Sequence, residues 1–140
     1  MSDFYEKMIA LAEAEKSMPA KRYMRDNEHQ IQSCCVTWFR YQWPQFTLLL
    51  FAVPNGGARS KAQAGKLKAE GVVAGVSDLL LLVARKGCHG LCIEMKDVKG
   101  RQRDTQKDWQ KAVEEQGYKY VLCRSYDDFV KEVNDYLGGE

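Results

Sequence analysis

No stretch of the 140 residues approaches the ~18 to 20 consecutive apolar residues that a membrane span needs. The opening MSDFYEKMIALAEAEK lacks the basic-then-apolar order of a secretion signal, so an intracellular protein with no membrane association is expected. Regular cysteine spacing is lacking too. Cys34, Cys35, Cys88, Cys92 and Cys123 are odd in number, fit no disulfide framework and form no CxxC zinc clip, which leaves reduced, mostly buried thiols. His89 beside Cys88 has no second pair to complete a zinc site, and His29 lies roughly 100° around a helix from Glu28. Proline is scarce, and no Pro- or Ser-rich linker, repeat or low-complexity run divides the chain, so one domain over 1–140 is expected. A P-loop is missing as well: Leu67 stands where Ser or Thr should follow Gly65-Lys66, which argues against a nucleotide cofactor.

An excess of one charge is also absent, since 21 basic residues face 19 acidic ones for a net of +2. That total conceals segregation. Residues 1–15 carry −3 and residues 125–140 carry −4, whereas 56–71 and 96–111 each carry +3. The basic segments coincide with glycine-containing loops, a combination suited to phosphate contacts, although solvated helix faces give similar counts. What is present otherwise is ordinary for a soluble globular domain: 45% hydrophobic and 29% charged residues, on a chain long enough to bury a core.

Periodicity places a first helix over 2–16 from Ser2, then a polar link, then a helix from Asp26 or Asn27 to about Trp43. In the latter, Ile31, Cys34, Cys35, Trp38 and Phe39 form one apolar stripe before Pro44. Glu28 lies three residues before Ile31 and so projects from that stripe at the first turn. Thr47–Val53 reads as a buried strand closed by Pro54-Asn55-Gly56-Gly57, with a helix from about Ala58 to Glu70 behind it. Strands follow at Leu79–Val83, Leu91–Lys96 and Tyr118–Cys123. Helices are expected from Asp104 to Gln116, ended by Gly117, and from Asp127 to Leu137, capped by Ser125. The order α-α-β-α-β-β-α-β-α implies an α/β fold, a mixed sheet sandwiched by helices.

The chemistry concentrates at the end of the third strand. Alternation puts Cys92, Glu94 and Lys96 on one face and Leu91, Ile93 and Met95 on the other. A hairpin centred near Gly87 would set Asp78 beside Lys96 and diagonal to Glu94. Two carboxylates that converge at an apolar sheet edge suit a hard divalent ion, Mg²⁺ or Mn²⁺, which offsets charge on a phosphoryl oxygen and acidifies water. Lys96 adds a positioned cation, and Glu28 could reach a metal or its water from the neighbouring helix. A plain Asp/Glu/Lys ion-pair network is the alternative for the trio taken alone. Gln106 precedes Trp109 by three residues and Val113 by seven, hence faces inward, where its amide needs a partner: either the site or a core carbonyl. Backbone N–H groups of Asn55, Gly56 and Gly57, with Arg59 and Lys61 behind them and Lys99, Arg101 and Arg103 further on, are candidate phosphate contacts, the alternative being an ordinary turn and idle surface bases.

In order along the chain, Glu28, Pro54-Asn55-Gly56-Gly57-Ala58-Arg59, Gly71-Val72, Gly75-Val76-Ser77-Asp78-Leu79, Gly90-Leu91-Cys92-Ile93-Glu94-Met95-Lys96, Gly100-Arg101 and Gln106-x-x-Trp109 resemble the virus-type replication-repair nuclease domain, VRR-NUC. That family belongs to the P-D-(D/E)-x-K superfamily with the restriction-endonuclease-like α/β/α fold. The resemblance covers about residues 25–137. It implies metal-dependent hydrolysis of DNA phosphodiesters, with Asp78, Glu94 and the Met95 carbonyl as metal ligands and Lys96 as the catalytic lysine. Glu28 would be the helical acid and Gln106 the polar residue of the following helix. Ser77 departs from the pattern, standing where the superfamily has proline. Stand-alone members look like homodimers that cut branched DNA such as four-way junctions, which implies the same here. Rival readings are a flap nuclease or exonuclease, a non-catalytic DNA-binding module of the same fold, and an ion-paired structural domain.

Overall fold

The computed structural model describes residues 6, 7, 10, 20–54 and 60–138. The helix expected over 2–16 therefore falls almost wholly outside the described residues, and the loop Asn55–Arg59 falls entirely outside them. The first continuous element is α1, Ala20–Gln42. It begins well before Asp26, because Ala-Lys-Arg at its start are strong helix formers and a polar stretch of this composition has no reason to stay uncoiled. Its expected stripe is real: Cys34, Cys35, Trp38 and Phe39 are buried, and Ile31 packs against the core.

Most of the apolar run after Pro44 does not form a strand. Pro44–Leu49 is a 3-10 helix and only Leu50–Ala52 is extended, as β1. Proline presets φ for the first helical turn, and the Thr47 hydroxyl donates to the Pro44 carbonyl at 3.0 Å, so local bonding outcompetes β propensity here. Helix α2, Lys61–Ala69, starts three residues later than expected because Ser60 makes a full capping box with Gln63. The remaining elements match their sequence signals closely: β2 Leu79–Leu81, β3 Leu91–Met95, α3 Asp104–Glu115, β4 Lys119–Cys123 and α4 Tyr126–Leu137. Gly117, just past α3, has φ +88, the left-handed geometry of a C′ glycine. Ser125 caps α4 by accepting from the Asp128 amide at 3.0 Å.

The sheet runs β1-β2-β3-β4, antiparallel across the first two pairs and parallel between β3 and β4. One face carries Leu79, Leu81, Leu91, Ile93, Met95, Val121 and Cys123, which pack with Phe39 of α1 and Phe129, Val133 and Tyr136 of α4 in a single cluster. Trp38 and Phe129 meet edge to face at 6.0 Å between centroids. Helix α3 covers the other face, where Trp109 packs on Tyr120 of β4 at 6.2 Å. The fold is thus an α/β arrangement with a mixed sheet and flanking helices. Among the described residues no helix is long and apolar enough to cross a membrane.

Candidate active site

The β2–β3 hairpin sets the geometry. Leu79 pairs with Ile93, two residues short of the register expected for a hairpin centred near Gly87. The turn is off-centre: Arg85 and Cys88 bridge each other around Lys86, at φ +51, and Gly87, at φ +79. Continuing that register sets Asp78 level with Glu94 rather than with Lys96. Asp78 Oδ2 accepts the Met95 amide at 2.7 Å, which ties the first carboxylate to the strand that carries the second. Ser77, at the superfamily's proline position, is fully buried, and its hydroxyl donates to the Leu79 carbonyl at 3.1 Å. The hydroxyl bond holds the entry to β2, so loss of the proline does not loosen this corner.

Glu94 is the most consequential side chain in the molecule. It is 2% exposed on an otherwise apolar strand. Its Oε1 accepts from Gln106 Nε2 at 2.9 Å and stands 3.9 Å from Lys96 Nζ, too far for a hydrogen bond. Among the described residues its Oε2 has no hydrogen-bond partner. A buried carboxylate oxygen left unmatched is costly, and so it marks a position built for something else. Burial pushes the Glu94 carboxyl up to about 8, and the charge of Asp78 adds to the shift while Lys96 opposes it. Gln106 is held in the orientation that makes its bond, since its Oε1 accepts the Arg103 amide at 2.7 Å and its NH₂ must then face Glu94. The amide's alternative, a core carbonyl, is not the one it takes.

Glu28 enters from α1. Partial burial raises its carboxyl, Asp78 adds to the rise and Lys96 works against it, so the three acids and the lysine share one field. They line a cleft of about 310 Å³ whose other walls include Gly75, Val76, Arg103, Thr105 and Gln106. Gly75 is required by contact as well as by its φ of +90: a Cβ there would stand 2.2 Å from the Thr105 carbonyl oxygen. The loop before β2 and the start of α3 can therefore close together as the cleft's rim.

Not every expected residue converges. Lys61 opens α2, and Lys99 and Arg101 lie on the exposed turn after β3; none lines the cleft, whereas Arg103 does. Asn55, Gly56, Gly57 and Arg59 are outside the described residues. Sequence reasoning missed Tyr120, whose phenol is raised by burial and by the neighbouring charge of Glu94, and which accepts from Gln102 at 3.1 Å. Its one sequence signal was alternation within β4, where it pairs with Cys92 on the Glu94 face.

The donor set is oxygen-rich. Among the described residues no three His, Cys, Asp or Glu side chains are gathered tightly enough to hold an ion by themselves. Two carboxylates, one with an unsatisfied buried oxygen, fit a hard divalent cation that completes its coordination with water, substrate or main-chain oxygen.

A mixed sheet flanked by helices, with two acids and a lysine at the shared end of an antiparallel pair, is the scaffold of restriction-endonuclease-like α/β proteins. The VRR-NUC domain matches residues 18–127, and the chain belongs to that family of nuclease domains. A solved structure described as a VRR_NUC domain protein is similar to it at a TM-score of 0.69 and 26% identity, over 79% of this chain and 87% of the other. No curated protein sequence matches.

Proposed function

We infer that this nuclease domain hydrolyses DNA phosphodiesters with Mg²⁺ or Mn²⁺. The observation that carries the reading is Glu94: a buried acid with one oxygen unmatched, beside Asp78 and within 3.9 Å of Lys96. Asp78 and Glu94 would hold the ion, joined by the Met95 carbonyl, with Glu28 reaching it directly or through water. When bound, it supplies positive charge at the phosphate and lowers the pKa of water.

The chain's own side chains do the rest. Lys96, only 13% exposed in its side chain, places an ammonium at the cleft where negative charge develops on the phosphate oxygens. Gln106 fixes the Glu94 carboxylate by its 2.9 Å bond to Oε1, which leaves Oε2 for the ion. Arg103 on the rim meets the DNA backbone, and Asn55, Gly56, Gly57, Arg59, Lys61, Lys99 and Arg101 extend the grip along it as contacts that carry no base information.

A net charge of +2 supports only modest affinity for any duplex, so selectivity rests on DNA shape. Branched DNA such as a four-way junction is the favoured substrate. A homodimer suits it, since two strands related by a two-fold axis require two equivalent sites.

The test is cleavage of labelled four-way junction, flap and linear duplex with Mn²⁺ by the wild type, Asp78→Ala and Lys96→Ala. The expected result is junction cutting that both substitutions abolish. Cutting that survives them refutes the site. Metal-dependent binding with no cutting in any substrate identifies a docking module, and preferential flap cutting by a monomer replaces the junction reading.

A further inference from the structure

The turn immediately after β3 is held with unusual redundancy. The Asp97 carboxylate accepts from the Lys99 amide at 2.9 Å and from the Gly100 amide, closing the turn from within. From outside, a single nitrogen of Arg124, Nη1, donates to the Asp97 carbonyl at 2.8 Å and to the Gly100 carbonyl at 2.7 Å. That nitrogen carries two hydrogens, one for each carbonyl. Arg124 is itself immobilised, because its amide donates to Asp128 Oδ2 at 3.0 Å within the capped first turn of α4. Among the described residues no carboxylate forms an ion pair with its guanidinium. The charge is spent on two backbone carbonyls.

A turn tip with no core duty does not need such bracing. Val98 is 78% exposed, so the turn's one apolar side chain adds nothing to the core. What the brace does fix is the approach of Gly100 to Lys96: a Cβ on Gly100 would stand 3.3 Å from Lys96 Cδ, so the glycine faces the lysine's aliphatic stem with little room for any side chain between them. Lys96 Nζ, by contrast, has among the described residues only a 3.9 Å contact with Glu94 to orient it. A lysine stem has four rotatable bonds, and its ammonium position is set mainly by what packs along it.

We propose that Arg124, through the Asp97–Gly100 turn, is the positioning residue for Lys96: it holds the wall against which the lysine's stem packs and thereby places the ammonium at the cleft. This rests on the nuclease reading for its catalytic consequence but not for its structural one. Arg124 touches no reacting atom. Its effect on the reaction passes entirely through Lys96.

The decisive experiment is a double-mutant cycle on single-turnover DNA cleavage, combined with amide hydrogen exchange and DNA affinity measured in Ca²⁺. Arg124→Ala is expected to slow cleavage about 10-fold or more, as misplacement of a reacting group does, with DNA affinity changed less than about 3-fold. In Lys96→Ala, the further change Arg124→Ala should have almost no effect on the residual rate, because the two act as a unit. Arg124→Lys, which keeps the cation and offers ammonium donors in place of the guanidinium, should recover part of the rate. Exchange at the Lys99 and Gly100 amides should accelerate in Arg124→Ala while β3 and β4 amides stay protected.

Multiplicative losses in the double variant, or unchanged exchange at Lys99 and Gly100, overturn the proposal. So does a loss that appears wholly as weaker DNA binding, which would make the turn a backbone grip instead. Accelerated exchange confined to the turn supports the positioning geometry even in a wild type that cuts nothing, a failure that falls on the nuclease reading alone.

Discussion

Two neighbouring sets of side chains on β3 obey opposite rules. Leu91, Ile93 and Met95 lie in the cluster shared with α1 and α4, where close packing and apolar burial stabilise the fold, about 1.5 to 3 kcal/mol for each fully buried large side chain. Glu94, between two of them, is as deeply buried yet has one oxygen without a partner and an elevated pKa. The cleft side thus keeps an ionisable carboxyl that the core side could never tolerate. A strand with period 2 lets the stable face hold the unfavourable one in place.

The contrast breaks most sharply at Glu94. With Glu94→Gln, DNA cleavage in Mn²⁺ should fall by about 10²- to 10³-fold, the scale of removing a principal electrostatic group, while thermal stability in EDTA rises because folding no longer has to desolvate an ionisable carboxyl. Cleavage that stays within tenfold of wild type, or a lower melting temperature, would contradict this division of labour.

Ile93→Ala tests the opposite face. It should lower unfolding free energy by about 2 to 5 kcal/mol in a denaturant titration and leave the turnover of the folded fraction nearly unchanged. If this substitution cut turnover as much as Glu94→Gln does, the two faces would not be separable.

pH sharpens the comparison further. The Glu94 carboxyl, raised from 4.5 to about 8, binds its proton more tightly in the folded chain than in the unfolded one. Its contribution to stability is therefore complete below the ordinary carboxylate range and is lost as pH rises through about 8. In EDTA the melting temperature should fall across that window, and Glu94→Gln should flatten the slope. Glu28, also raised, acts in the same direction. A wild-type melting temperature that climbs across the window would contradict the burial argument.

The smallest effects lie at the margins. Gln106→Ala should slow cleavage about tenfold by freeing the Glu94 carboxylate, less than loss of the acid itself, as single-turnover kinetics would show. Ser125→Ala should cost about 1 kcal/mol of stability through the lost cap, read from the shift of the denaturant midpoint.

Much of this layout was legible before any coordinates. The stripe from Ile31 to Phe39, the inward face of α3 at Gln106 and Trp109, the Gly117 stop and the Ser125 cap are all local patterns, and the chain obeys them. The misplaced element bounds were local competitions decided by details. Pro44 and Thr47 turned the first part of an apolar run into a 3-10 helix, and Ser60 with Gln63 delayed a helix start.

By itself, then, the sequence determined which residues share a face and where elements begin and end, because side-chain period and capping act over a few residues. It also carried the ordered acids and lysine that mark the family. Only the tertiary structure decided the β2–β3 register that sets Asp78 level with Glu94, the unmatched Glu94 Oε2, and the reach of Arg124 across 27 and 24 positions to the carbonyls of Asp97 and Gly100. Those features depend on where separate elements come to rest against each other, and no local pattern encodes the distance between two atoms so far apart along the chain.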